Sequence, residues 1–251
     1  MTTTFADPVT SSIGRAAATP VRDVAPRKDL YVSIHKALRS FMTDTLARIG
    51  RIDVADRADR DAALDQLDAL LALCLDHLRH ENEFVHTAIE ARQPAGSQRI
   101  ADEHVEHAES IAALRGEAAA LRQAAAADAD RLALRLYRHL ALFVAENFQH
   151  MHIEETAHNA LLWQHYSDAE LGALHGRLLA SIAPKDQLLV ARWMVPASTP
   201  AERAIIVGGA KAQMPPEALL GMMSVVRPHV DDIGWTKLAA AIGIDPGLGR
   251  G

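Results

Sequence analysis

Four groups of side chains interrupt otherwise apolar helical stripes in this sequence: His35 alone, His77 with Glu81, His104 alone, and His150 with Glu154. A neutral imidazole offers a ring nitrogen and a glutamate offers carboxylate oxygens, so together these groups read as metal ligands. The spacing His-x-x-x-Glu occurs twice. On a helix, residues four apart share one face, with side chains separated by roughly 6 Å. An imidazole there can bind one ion while the carboxylate one turn on reaches a second. The order also repeats: 42 residues separate His35 from His77, and 46 separate His104 from His150. HLRHENEFVHTAIEA, aligned on Glu81, overlays HMHIEETAHNALLWQ, aligned on Glu154. Two such halves packed antiparallel bring four imidazoles and two carboxylates into one core, a ligand set for two metal ions. Its mixture of nitrogen and oxygen suits iron or manganese better than magnesium or calcium. Two carboxylates directed into an apolar core, with no Lys or Arg on their stripes, require a cation.

Several neighbouring residues compete for attention. His107 shares a stripe with Ile100, His104 and Ile111, which makes it a candidate additional ligand, proton shuttle or partner of a ligand. His80, His152 and His158 lie within a turn of the expected ligands and read as side chains that orient them or face solvent. Glu83-x-x-His86 and Glu155-x-x-His158 match the Glu-x-x-His spacing of ferritin-like carboxylate bundles. That register also needs a carboxylate on the first helix, which has no Glu, and it places Glu83 about 200° round the helix from Glu81. Cys74 sits a turn before His77 and reads as a small buried hydrophobe, and Tyr31 as packing at the rim. Leu38, Met42, Phe84, Phe143 and Leu161 are expected to line the site.

The elements that must position these residues are helices. The first is expected over residues 29–49, the second from about residue 58 to Pro94-Ala-Gly96, and the third from an N-cap at Ser97. The fourth follows an alanine-rich break at residues 124–130 and carries Leu136, Phe143, His150, Glu154, Ala157 and Leu161. Ser167-Asp-Ala-Glu170 and Thr199-Pro-Ala-Glu202 are capping boxes that open further helices. Pro184 ends the fifth helix, and Pro196, Pro200, Pro215-Pro216 and Pro228 punctuate short helices beyond it. Met214, Met222 and Met223 there read as core filling. No alternating strand pattern occurs. The expectation is an all-α protein: an up-down four-helix bundle with an additional C-terminal layer of short helices. Residues 1–28, rich in Thr, Ala, Ser and Pro, read as a disordered tail, 29–183 as the bundle and 184–251 as the helical extension.

Composition agrees. Of 251 residues, 49% are hydrophobic but only 4% aromatic, so Leu and Ala fill the core, which favours helices. The net charge of −6 supplies no broad basic field, so neither nucleic acid nor an anionic membrane is an expected partner. A single cysteine excludes a disulfide framework and Cys-based zinc or iron–sulfur sites. No apolar run has membrane-spanning length and no secretory pattern opens the chain, so a cytoplasmic location is expected. The chain contains 13 histidines, 11 of them between His77 and His175. They are dispersed rather than tagged on, and metal binding is the commonest reason for such an excess.

These residues resemble the hemerythrin-like (HHE cation-binding) family over roughly residues 30–183, and within it the four-His, two-Glu subset. That subset includes bacterial di-iron proteins of iron–sulfur repair and nitrosative stress, and a eukaryotic iron sensor. The resemblance implies two non-haem iron ions, bridged by oxo and carboxylate groups and held by His35, His77, Glu81, His104, His150 and Glu154, with manganese as the alternative. It implies binding or reduction of a small diatomic or peroxide ligand: O₂, NO or H₂O₂. A second implied reading is an iron- or oxygen-responsive sensor whose C-terminal helices contact a protein partner. Two features depart from invertebrate oxygen carriers. His104 and His107 are three apart rather than four, and Glu154 follows His150 by four rather than by the five that separates His from Asp in those carriers.

Overall fold

The computed structural model describes residues 27–247, and among them every regular element is helical. The tail expected over residues 1–28 lies outside the described residues except at its end. There, Arg27 is fixed by the Asp168 carboxylate and the Trp163 and Tyr166 carbonyls.

Four long helical arms form the bundle. α1 is Val32–Gly50. The second arm starts with α2 (Arg57–His80), winds as a π-helix over Glu81–His86, and ends with α3 (Thr87–Arg92). α4 is Gln98–Arg122. The fourth arm is α5 (Ala126–Ile153), a π-helical turn at Glu154–His158, and α6 (Asn159–His165). α1 packs on α2, α2 on α4, α4 on α5 and α5 back on α1, which closes the ring. The loops between arms are short, so sequential arms run antiparallel. Asp56 caps α2 by accepting the Ala58 and Asp59 amides. The core is Leu-rich: Leu64, Leu67, Leu70, Leu71, Leu114, Leu136 and Leu140 are fully buried, with Phe41, Met42 and Phe143 among them. Cys74 is buried in the same core.

The π-helical turns change which residues face inward. In an α-helix the stripe through Glu81 continues at Phe84 and Ala88, but both are only partly buried. Val85, His86 and Ile89 are buried instead. On the fourth arm Ala157 is exposed and Leu161 partly buried, while His158 and Leu162 are buried. Each π turn inserts one residue, so the inward stripe advances by one. The expected lining by Phe84 and Leu161 is thereby corrected to Val85 and Leu162, which join Tyr31, Ile89 and Leu171 in a small core of their own.

α7 (Asp168–Ser181) opens on the Ser167–Glu170 capping box and contributes Leu171 to that small core. α8 (Pro184–Ala197), α9 (Pro200–Gln213, opened by the Thr199–Glu202 capping box), α10 (Pro216–Val226) and α11 (Asp232–Ile242) make the C-terminal layer. Its core contains Val195, Val207, Met222, Met223, Val226 and Trp235. The layer joins the bundle along α1: Trp193 stacks on Phe41 with ring centroids 4.1 Å apart, and Lys36 pairs with Glu202 at 2.7 Å. Among the described residues no helix is long and apolar enough to cross a membrane.

Candidate metal centre

The six residues singled out by spacing come together in the bundle interior. His35 comes from α1, His77 from α2, Glu81 from the first π turn, His104 from α4, His150 from α5 and Glu154 from the second π turn. Their ligand atoms fall into two groups, His35–His77–Glu81–Glu154 and Glu81–His104–His150–Glu154, with all atoms of a group within 4.8 Å of one another. Each group offers two nitrogens and two carboxylates, and both carboxylates belong to both groups. Five of the six side chains are 3% exposed or less, and His77 is 11% exposed.

Three of the four imidazoles are held from behind. His35 Nδ1 lies 3.0 Å from Glu155 Oε1, a carboxylate itself clamped by Arg39. His104 Nδ1 lies 2.8 Å from Asn82 Oδ1, and His150 Nδ1 lies 2.9 Å from Glu103 Oε2. An acceptor on Nδ1 keeps a proton there and turns Nε2 inward, where it is the ligating nitrogen once the ring is neutral. His35 Nε2 is 3.7 Å from Glu81 and 3.4 Å from Glu154, and His77 Nε2 is 3.1 Å from Glu81. His104 Nε2 is 3.6 and 3.8 Å from the same two carboxylates, and His150 Nε2 is 3.4 Å from Glu154.

Despite that proximity, His35 Nε2, His77 Nε2 and all four carboxylate oxygens of Glu81 and Glu154 are buried without a hydrogen-bond partner. Buried polar atoms are ordinarily satisfied, and leaving a charged one unpaired is expensive. His104 Nε2 and His150 Nε2 also face each other at 3.1 Å. With both Nδ1 protons held outward, two lone pairs oppose each other there unless a cation or a proton stands between them. Two ligands at about 2.1 Å from one ion lie about 3.0–3.4 Å apart for octahedral or tetrahedral angles. The observed spacings match or slightly exceed that, so the donor set fits metal.

Electrostatics say the same. Burial, with the Glu154 carboxylate next, pushes Glu81 up to about 8. Burial alone would also raise Glu154, but His104 and His150 beside it hold it well below the usual range. Burial opposes the charge on His35, yet the carboxylates of Glu155 and Glu81 outweigh it and lift the group to about 9. Burial and the charge on His35 push His77 well down. Without metal the cluster therefore borrows protons to offset its carboxylates.

The other expected residues separate cleanly. His107 is buried with Nδ1 unpartnered, edge-on to His150 at 4.7 Å between ring centres and against Phe143 at 6.1 Å. It belongs to neither four-residue group. Glu83 is 57% exposed and pairs with Arg79 on the outside of the bundle, away from the cluster. His152 is exposed, and His80 is buried beside the Arg79 guanidinium. Two histidines outside the expected ligand set do approach: His86 and His158 form a third group with Glu154. His158 shares the helical face of Glu154 and was visible by spacing. His86 was hidden because five residues of α-helix turn it about 140° away from Glu81.

No family model, curated protein or solved structure matches the chain.

Proposed function

We propose that this protein is a non-haem di-iron protein that binds or reduces a small ligand, O₂, NO or peroxide, in oxygen or nitrosative stress or in iron handling. The observation that carries the reading is the pair of two-His, two-Glu groups sharing both carboxylates, whose inward atoms lack any other partner. Once bound, two irons would supply two reducing equivalents and an open coordination position. The chain supplies the rest. His35 and His77 would hold one position, His104 and His150 the other, and Glu81 and Glu154 would serve both. Glu155, Asn82 and Glu103 fix the imidazole orientations and raise their basicity. Leu38, Met42, Phe143, Val85 and Leu162, all buried, keep bulk water from the bundle interior around the centre. Manganese is the alternative occupant, since the same donor mixture accepts it.

Anaerobic reconstitution with Fe(II) followed by iron quantification tests this. Two or more irons per chain are expected, with visible bands that change on adding azide or NO to the oxidised protein. Fewer than one iron per chain overturns the reading.

A second reading, a metal-state sensor, draws on the coupling of the C-terminal layer to α1. Lys36, next to His35, is the residue that pairs with Glu202, and Phe41 stacks on Trp193. Metal loading would then change amide-exchange protection in α8 and α9, and unchanged protection there removes this reading.

A further inference from the structure

We infer that the centre contains a third metal position, held by His86, His158 and Glu154, that takes a first-row divalent cation. It borrows Glu154 from the six-residue site and so rests in part on the reading above. The three side chains are 4%, 2% and 0% exposed, and their ligand atoms lie within 4.8 Å of one another. Two histidines and one carboxylate form a set of the kind that holds Fe(II) and similar ions with coordination positions left open.

Three observations carry this beyond proximity. First, both ring nitrogens of His86 are buried without a partner. A neutral imidazole always has one N–H and one lone pair to satisfy, so this ring has been placed at a cost that a ligand would offset. Second, His158 is positioned through its Nδ1, 3.2 Å from Tyr31 Oη, and a hydroxyl that accepts there leaves the Nε2 lone pair for a cation. The rings of His86 and His158 stand edge-to-face, 5.3 Å apart. Third, the backbone is bent to achieve the placement. The two π-helical turns begin at Glu81 and Glu154 and end at His86 and His158. Such turns are rare and cluster at functional sites. Without the first of them the stripe would carry Phe84 inward and turn His86 away, whereas His158, four residues after Glu154, faces inward in either winding.

The position also has a way in. His86 lines an open pocket of about 460 Å³ together with Asn82, Glu90 and Ser97. A cation entering there would meet His86, whose group includes Glu154, the carboxylate common to all three groups. Asn82, at the same pocket, is the residue that holds His104.

Equilibrium dialysis of the full metal-free chain against Co(II) tests the inference. Saturation at three Co(II) per chain is expected, falling to two in His86→Gln, with far-UV circular dichroism confirming that the variant keeps its helices. His158→Gln should behave the same way and serves if His86→Gln does not fold. Cobalt anomalous diffraction on the unmodified protein should give a peak between His86 and His158, independent of any variant. Saturation at two or fewer, unchanged in His86→Gln and with no such peak, overturns the third position. Binding of one Co(II), lost in His86→Gln but kept in His77→Gln, would uphold the third position and refute the six-residue site instead.

Discussion

Loading the centre with metal at neutral pH should expel protons, and the number follows from the side chains. Glu81 sits at about 8 and His35 at about 9 in the metal-free protein, so both are largely protonated at pH 7. A metal ligand must give up its proton. Two groups therefore deprotonate on loading. Burial opposes the charge on His150, but the Glu154 and Glu103 carboxylates outweigh it and raise the group in the same direction. Below pH 7 the apparent affinity should fall by about two decades per pH unit, or about 2.7 kcal/mol at 1.36 kcal/mol per unit for each proton. Above pH 8 and then 9 the slope should flatten as each group loses its proton in the free protein. Calorimetric titration with Mn(II) in two buffers of different ionisation enthalpy measures the protons released directly. Release of two or more at pH 7 is the expected result. Release of less than one, with metal bound, would refute the electrostatic account of the cluster, because Glu81 and His35 would then be unprotonated or uninvolved.

The metal-free protein should respond to pH in the opposite sense. Glu81 and His35 are raised in the folded state, so their contribution is full below their ordinary values and is lost as pH climbs towards 8 and 9. Glu155, held at about 2 by its pairing with His35 and Arg39 against the effect of burial, contributes above the ordinary carboxylate range and loses that contribution on acidification. Burial holds His77, His86, His107 and His175 neutral in the fold, so acidification below the ordinary histidine range also lowers stability. Melting temperature without metal should thus be highest near neutral pH and decline both towards pH 9 and on acidification, whereas the metal-loaded protein should not decline between pH 7 and pH 9. Glu155→Ala should weaken metal binding about 10–100-fold, since it frees His35 from its anchor, while Glu83→Ala, on the outer face, should leave the dissociation constant unchanged in the same titration. Trp193→Ala should cost about 3–5 kcal/mol in urea unfolding through loss of its stack on Phe41, with metal stoichiometry retained.

Much of this molecule is legible in the sequence, and the boundary of what is legible has a structural cause. The arms, both capping boxes and the C-terminal layer follow from apolar periodicity and turn chemistry. α4 starts beside Ser97 as expected, but Ser97 does not cap it, because its hydroxyl donates to the Glu90 carboxylate instead. The convergence of the six expected residues also follows, because each His-x-x-x-Glu runs through ordinary α-helix up to its glutamate. The α-helical period then fails at Glu81 and Glu154, where the backbone winds as π-helix. Beyond those points the stripe slips by one residue, which is why Phe84 and Leu161 were expected inside and Val85 and Leu162 are found there. The same slip brings in His86. No local residue preference announces such a turn, and only the burial of the residues beyond it shows where it lies. The anchors were hidden for a different reason: Glu155, Asn82 and Glu103 reach across to another helix, and helix phase says nothing about which facing residue they meet.

The most direct test of the central claim is anomalous diffraction at the iron edge from crystals of the Fe(II)-reconstituted protein. The account predicts one peak bounded by His35, His77 and the two glutamates and another bounded by His104, His150 and the same glutamates. An iron-free interior in a folded, iron-exposed crystal, or iron bound only outside these six side chains, would contradict it.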